Sequence, residues 1–287
     1  MSTFKSTNQI RHLAIDIETV PVRPLEDYPS EVRAYLVQKI EAAKALDPAI
    51  TYEKYASLHP SFGRIVCLSA GCLASDRHGN ELIITKSFTG DELGILDQFN
   101  RQSAYFRNTF VHFNGLSFDV PFILTRMRLN RVPCMNQRFA IIRRFSFDPH
   151  LDLLEFYSQW DRAKSIPLGV LAELLGLPLP KADLSGSKIC TAFAAGEIRR
   201  IGQHCEWDVA TTLNLLRILV GGYDPVPPEL IYSQEDENDY TQLATVLSSD
   251  SRTRSVLDPD LEILPSADPI LIPGSSVVRV GRDWPHP

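Results

Sequence analysis

His12-Leu-Ala-Ile-Asp-Ile-Glu-Thr-Val20 is an apolar strand carrying two acids, and its reading decides the rest. Asp16 and Glu18 stand two residues apart. On a β-strand that spacing puts both carboxylates on one side, separated by ~6.6 Å along the chain. A protein interior cannot solvate such a pair, so leaving both ionised and unpaired is unfavourable. Divalent cations are the simplest compensation, and one ion can bridge the pair while a second attaches to Asp16.

Two further acids extend the pattern: Asp119 in His112-Phe-Asn-Gly-Leu-Ser-Phe-Asp119, and Asp208 in His204-Cys-Glu-Trp-Asp208. Each segment has an ordinary explanation by itself. The first pair suits a solvated strand end, the second a turn and helix cap, and the third an i,i+4 pair on a wet helix. Their order and setting make the set specific. Phosphodiester hydrolysis needs an activated water and a tolerable 3′ leaving oxygen, which two hard cations ~3.5–4 Å apart serve together. Such ions take oxygen ligands, so a cage of Asp and Glu is the expected one. His204, one turn before Asp208, is placed to act as acid or base.

The hydrophobic pattern predicts strands over 11–19, 64–74, 81–88 and 109–113, with a helix at 91–103 and a long excursion over 20–62 that contains a helix from Ser30. Ser117 is the expected cap of a helix over 118–130, which sets Asp119 at its N-terminal end. A hairpin over 137–147 follows, then a strand or strand-to-helix transition at His150-Leu-Asp-Leu-Leu154, helices at 166–176 and 185–195, and a last helix over 197–220. Gly221-Gly222 stops that helix. Residues 223–287 hold nine of the twenty prolines and carry twelve acids against four bases. They read as a disordered acidic tail, with a protein partner as one use for its short apolar pieces. The expected organisation is therefore a catalytic domain over 1–222 and a tail over 223–287.

The formal charge of −6 is −8 in the tail and +2 in the body. A body whose acids are partly committed to metal suits a polyanionic partner. Of the basic clusters, Arg138, Arg143 and Arg144 are the group expected to meet phosphate, the others reading as solvated faces. Five cysteines without a CxxC pair indicate neither a zinc site nor a disulfide framework. No apolar run approaches ~20 residues and the first residues lack a signal-peptide core, so a cytoplasmic protein with no membrane partner is expected.

These motifs resemble the DEDD superfamily of 3′–5′ exonucleases, which have a ribonuclease H-like fold, and more closely the predicted exonucleases related to the proofreading domain of family B DNA polymerases. Asp16-Ile-Glu18 is similar to the first exonuclease motif, Asn114-Gly-Leu-Ser-Phe-Asp119 to the second, and His204-Cys-Glu-Trp-Asp208 to the third. Phe62-Gly-Arg-Ile-Val-Cys-Leu-Ser69, Leu174-Leu-Gly-Leu-Pro178 and Asp183-Leu-Ser-Gly-Ser-Lys188 carry the likeness further, over roughly residues 11–222. One position departs: the family has Tyr four residues before its third Asp, where this chain has His204. An imidazole of ordinary pKa ~6.5 accepts a proton at neutral pH more readily than a phenol at ~10.

The resemblance implies an α/β fold with a central mixed sheet of five strands flanked by helices. It implies removal of nucleotides from a free 3′ end, single-stranded DNA being the expected substrate, with two Mg²⁺ or Mn²⁺ ions as cofactors and 5′-monophosphates as products. Asp16, Glu18, Asp119 and Asp208 would hold the metals and His204 would take or orient a proton. Thr19, Asn114 and Phe118 would hold the substrate's terminal nucleotides, the first by its backbone N–H or hydroxyl. Asp152, between two leucines, reads as a supporting residue behind the site. The alternative is a protein that keeps this fold but has lost catalysis, serving as a nucleic-acid-binding or scaffolding module.

Overall fold

The computed structural model describes residues 11–75, 80–177 and 184–233. Its centre is a six-stranded sheet in the order β5-β4-β1-β2-β3-β6. The strands are β1 (His12–Pro21), β2 (Gly63–Ser75), β3 (Glu81–Thr89), β4 (Thr109–His112), β5 (His150–Asp152) and β6 (Ile231–Ser233). β2 runs antiparallel to β1 and β3, whereas β4 is parallel to β1, β5 to β4 and β6 to β3. Only β2 is reversed. This is the mixed α/β sheet flanked by helices anticipated from the sequence, with one strand more than the five expected.

Alternation along β1 sorts the two faces. Leu13, Ile15 and Ile17 pack on one face with Ile95, Leu96 and Phe99 of α3 (Glu92–Ser103) and Val120, Phe122 and Ile123 of α4 (Asp119–Leu129). Ala14 lies on the other face with Val209, Ala210 and Leu213 of α8 (Ile198–Leu216). Asp16 and Glu18 share the face of Ala14, so they look toward α8. Gly71 of β2 lets that helix come close: a Cβ there would stand 2.7 Å from Val209 Cγ1 and 2.9 Å from the Ile84 carbonyl oxygen.

Between β1 and β2 lie α1 (Ser30–Lys44) and α2 (Tyr52–Ser57), and beyond β5 come α5 (Leu153–Ser158), α6 (Leu168–Leu174) and α7 (Ile189–Ala194). Three expectations are corrected. The segment 137–147 contains no strand; Asn136 ties it down instead, its amide donating to the Ser103 and Phe106 carbonyls while its oxygen accepts from the Arg138 and Phe139 N–H groups. Ser117 does not cap α4. Phe118 occupies the cap position, and the Ser117 hydroxyl accepts from Arg162. The ordered chain also continues past 222, because Asn214 clamps Val226 through both its amide groups, Arg217 donates to the Asp224 carbonyl, and β6 pairs with Ile83–Thr85. Residues 234–287, most of the expected tail, lie outside the described residues.

Candidate active site

β1 outruns β4, and the site begins where the pairing stops. β4 is matched only to His12, Leu13 and Ala14, so the Ile17 N–H beyond it donates to Asp119 Oδ1 at 3.1 Å. That bond joins the first acidic segment to the second across 102 residues. On the opposite side β1 and β2 shift register between Glu18 and Thr19, a bulge of the kind that re-aims side chains beside a site. From α8, Cys205 donates its thiol to Asp16 Oδ2 at 3.2 Å, fixing the helix over the acid pair. One turn of that helix then carries His204 and Asp208 to the same place. His204 Nε2 is 3.5 Å from Glu18 Oε1 and 3.8 Å from Asp208 Oδ2.

The carboxyls perturb one another. Burial pushes the Asp16 carboxyl well above its usual range, and repulsion from Asp119, Asp208 and Glu18 adds to it, against the thiol of Cys205, which lowers it. Glu18 is raised in the same way, by burial and then by Asp208, Cys67 and Asp119. Burial lifts Asp119 to about 7, and Asp208 is also raised, with His204 opposing. The neighbours that weigh most on the four are other acids, Cys67, Cys205 and His204. Four carboxylates that repel one another are a donor set for hard divalent ions. Glu18, His204 and Asp208 each offer a ligand atom within 4.8 Å of the others, so the histidine joins the group able to hold an ion. Sequence reasoning assigned it to proton transfer alone. The side chains of Glu18, His204 and Asp208 are 12%, 17% and 33% exposed, which opens the cluster to solvent on the α8 side.

Asp152 supports this site from behind. It is fully buried at the end of β5, and its carboxylate accepts the N–H groups of Asn114, Leu116 and Leu154 at 2.8, 2.9 and 3.1 Å. The loop that delivers Asp119 thus hangs on one side chain. Asn114 takes the left-handed conformation, φ 67°, which asparagine tolerates better than most residues. Gly115 is required next to it, because a Cβ there would meet His112 Cβ at 2.4 Å. Asp152→Ala is expected to leave one buried and two part-buried donors unmatched, at about 1–3 kcal/mol for the buried one and less for the others. The hydrolytic rate should fall about 10–100-fold. Thermal melting together with initial rates checks both, and an unchanged melting temperature would refute the assignment.

The remaining expected residues are placed as follows. Phe118 is half-buried against Phe122, ring centroids 5.4 Å apart, at the lip beside Asp119. Asn114 offers its side-chain oxygen to Arg162 Nη1 at 3.2 Å. The Thr19 hydroxyl donates to the Ser57 carbonyl at 2.7 Å and is nearly buried, so it holds α2 against β1. Cys205 and Arg162 were missed from the sequence. The first looked like one more apolar position on the α8 stripe, and nothing in the spacing of the second links it to residue 114.

Residues 56–220, more than half of the chain, match a family described as predicted 3′–5′ exonucleases related to the exonuclease domain of PolB. The chain belongs to this family. The matched span includes Asp119, His204 and Asp208 but begins after β1, so Asp16 and Glu18 enter through the geometry. No curated protein matches the chain. Among solved structures, the family B DNA polymerase from the hyperthermophilic archaeon Pyrobaculum calidifontis is similar, with 19% identity and a TM-score of 0.45, over 73% of this chain. The chain spans about a quarter, 24%, of that polymerase. No helix among the described residues is long and apolar enough to cross a membrane.

Proposed function

We propose that this protein hydrolyses nucleic acid from the 3′ end, taking single-stranded DNA as substrate and releasing 5′-monophosphates. The observation that carries the reading is the convergence of Asp16, Glu18, Asp119 and Asp208 at the end of β1, where α8 and the Asp119 loop meet it. These four residues would hold two divalent ions, Mg²⁺ or Mn²⁺, which when bound supply water activation and neutralise charge on the leaving 3′ oxygen. Phe118 at the lip offers a ring face to a terminal base, and Asn114 a polar contact beside it. His204 Nε2, between Glu18 and Asp208, accepts or orients the proton of the attacking water.

Incubating a 5′-labelled single strand with Mg²⁺ or Mn²⁺ tests this: a ladder shortening from the 3′ end is expected, and a closed circular strand should stay intact. Cutting of the circle would point to an endonuclease. Tight binding without hydrolysis in Mn²⁺ would favour the non-catalytic reading, which the histidine at the usual tyrosine position motivates. His204→Ala is expected to lower kcat by about 10²–10⁴-fold, read from initial rates on the labelled strand, and an unchanged kcat would remove the imidazole from the proton's path.

A further inference from the structure

Phe145 is 76% exposed, and its ring centroid lies 5.1 Å from that of Trp160. Trp160 stacks on Phe147 at 5.6 Å with planes 25° apart, and Phe147 rests on Phe156 of α5. Phe145 is thus left open to solvent on a half-buried Trp160 that is held up from below. The backbone of both ring-bearing residues is left-handed, φ 59° at Phe145 and 63° at Trp160. Bulky side chains rarely occupy that region, and where α5 ends a glycine would serve with less strain. Such strain is tolerated where the side chain itself is needed.

Charge and position indicate the occupant. Arg143 and Arg144, immediately before Phe145, are exposed and make no hydrogen bond or ion pair among the described residues. Two residues after Trp160, Arg162 binds Asn114 and Ser117 on the loop that carries Asp119. Glu155 pairs with Arg162 at 2.6 Å, so Arg162 works as a strut, while Arg143 and Arg144 supply the free positive charge. Aromatic faces beside cationic side chains, tied through Arg162 to the loop that carries Asp119, are the components of single-strand binding: bases stack and phosphates are neutralised.

We propose that Phe145 and Trp160, flanked by Arg143 and Arg144, form a stacking platform for bases of a single-stranded polynucleotide upstream of its 3′ end. The proposal rests on the exonuclease reading and adds to it where the rest of the strand lies. The test uses the full chain with EDTA and fluorescein-labelled dT12 and rU12, followed by anisotropy, with labelled dT3 as the short comparison. Phe145→Ser is expected to weaken dT12 binding about tenfold and to abolish the advantage of dT12 over dT3. Because Phe145 is so exposed, its removal leaves the core intact, and an unchanged melting temperature checks this. Trp160→Ala should act in the same direction, with Trp160→Phe restoring most of the loss. Arg143→Ala with Arg144→Ala should reduce the slope of log K against log salt by about 1.4, ~0.7 per phosphate contact. Equal loss on dT12 and rU12 identifies a platform blind to the sugar, and loss on one alone identifies the strand it serves.

Variants that bind dT12 and rU12 like wild type would overturn the proposal, as would a wild type that binds neither. A wild type that binds dT12 through Phe145 yet never shortens a strand in Mn²⁺ would keep the platform and refute the exonuclease reading. Hydrolysis that survives without any effect of these variants would do the reverse.

Discussion

Asp16→Ala is expected to lower the rate of 3′-end hydrolysis at least about a thousandfold, since metal-assisted charge neutralisation contributes several kcal/mol and each 1.36 kcal/mol is a decade. Asp16 has the acid neighbours Asp119, Asp208 and Glu18, so no other carboxylate in the cluster is more deeply enmeshed. The same position predicts an opposite effect on the metal-free fold. Asp16→Asn removes a charge that burial and three like charges disfavour, while keeping a group that accepts the Cys205 thiol. Its melting temperature in EDTA at pH 8 should therefore exceed that of wild type. Activity lost together with a lower melting temperature would mean that Asp16 holds the structure rather than the cations.

The second large effect is a stability that depends jointly on pH and metal. Asp119 has its carboxyl at about 7 in the folded chain against an ordinary 3.8, and Asp16, Glu18 and Asp208 are raised too. A carboxyl raised on folding binds more protons in the native state than in the unfolded one, so its contribution to stability declines as pH climbs from the unfolded toward the folded value. Three buried histidines oppose this at lower pH. His12 and His150 are pushed down to about 4 and His112 is also lowered, mainly by burial, which favours the fold as pH rises toward the usual imidazole range. Above it the raised carboxyls govern, and the buried thiols of Cys72 and Cys205, also raised, act in the same direction. Metal-free protein should melt at a lower temperature at pH 8.5 than at pH 6.5. Mn²⁺ at a hundred times its dissociation constant should then restore about 2.7 kcal/mol, roughly 5–10 °C for a fold of this size. A melting temperature flat from pH 6.5 to 8.5 in EDTA, with no response to Mn²⁺, would contradict the carboxylate cluster as a cation site.

Those expectations were accessible because the informative residues obey simple periods. Two-residue alternation in β1 put Asp16 and Glu18 on the face of Ala14, and one helical turn in α8 put His204 with Asp208. Such relations survive folding unchanged. What escaped depended on contacts between distant parts of the chain. Asp152 could be recognised as supporting, but not as the common acceptor for the N–H groups of Asn114, Leu116 and Leu154. Thr19 and Ser117 have hydroxyls suited to several tasks, and only the positions of Ser57 and Arg162 decide which is performed. Phe139 followed a plausible hairpin pattern, yet its ring is buried against Phe99 and Phe110 and Asn136 fixes its backbone in a turn. β6 is three residues long and lies in a proline-rich acidic stretch, so neither length nor composition announced it.

That short strand has a practical meaning for the edge of the sheet. β3 would otherwise be the sheet's last member, offering its bare backbone along Ile83–Thr85 to any neighbour with a matching edge. Arg217 anchors the covering segment at its root, gripping the Asp224 carbonyl and Glu81 at the start of β3. A piece of this chain trimmed to end at the glycine pair would keep every acidic ligand and still lose its guard against self-adhesion. Clumping of such a piece would therefore reflect an uncovered seam, not a damaged catalytic centre.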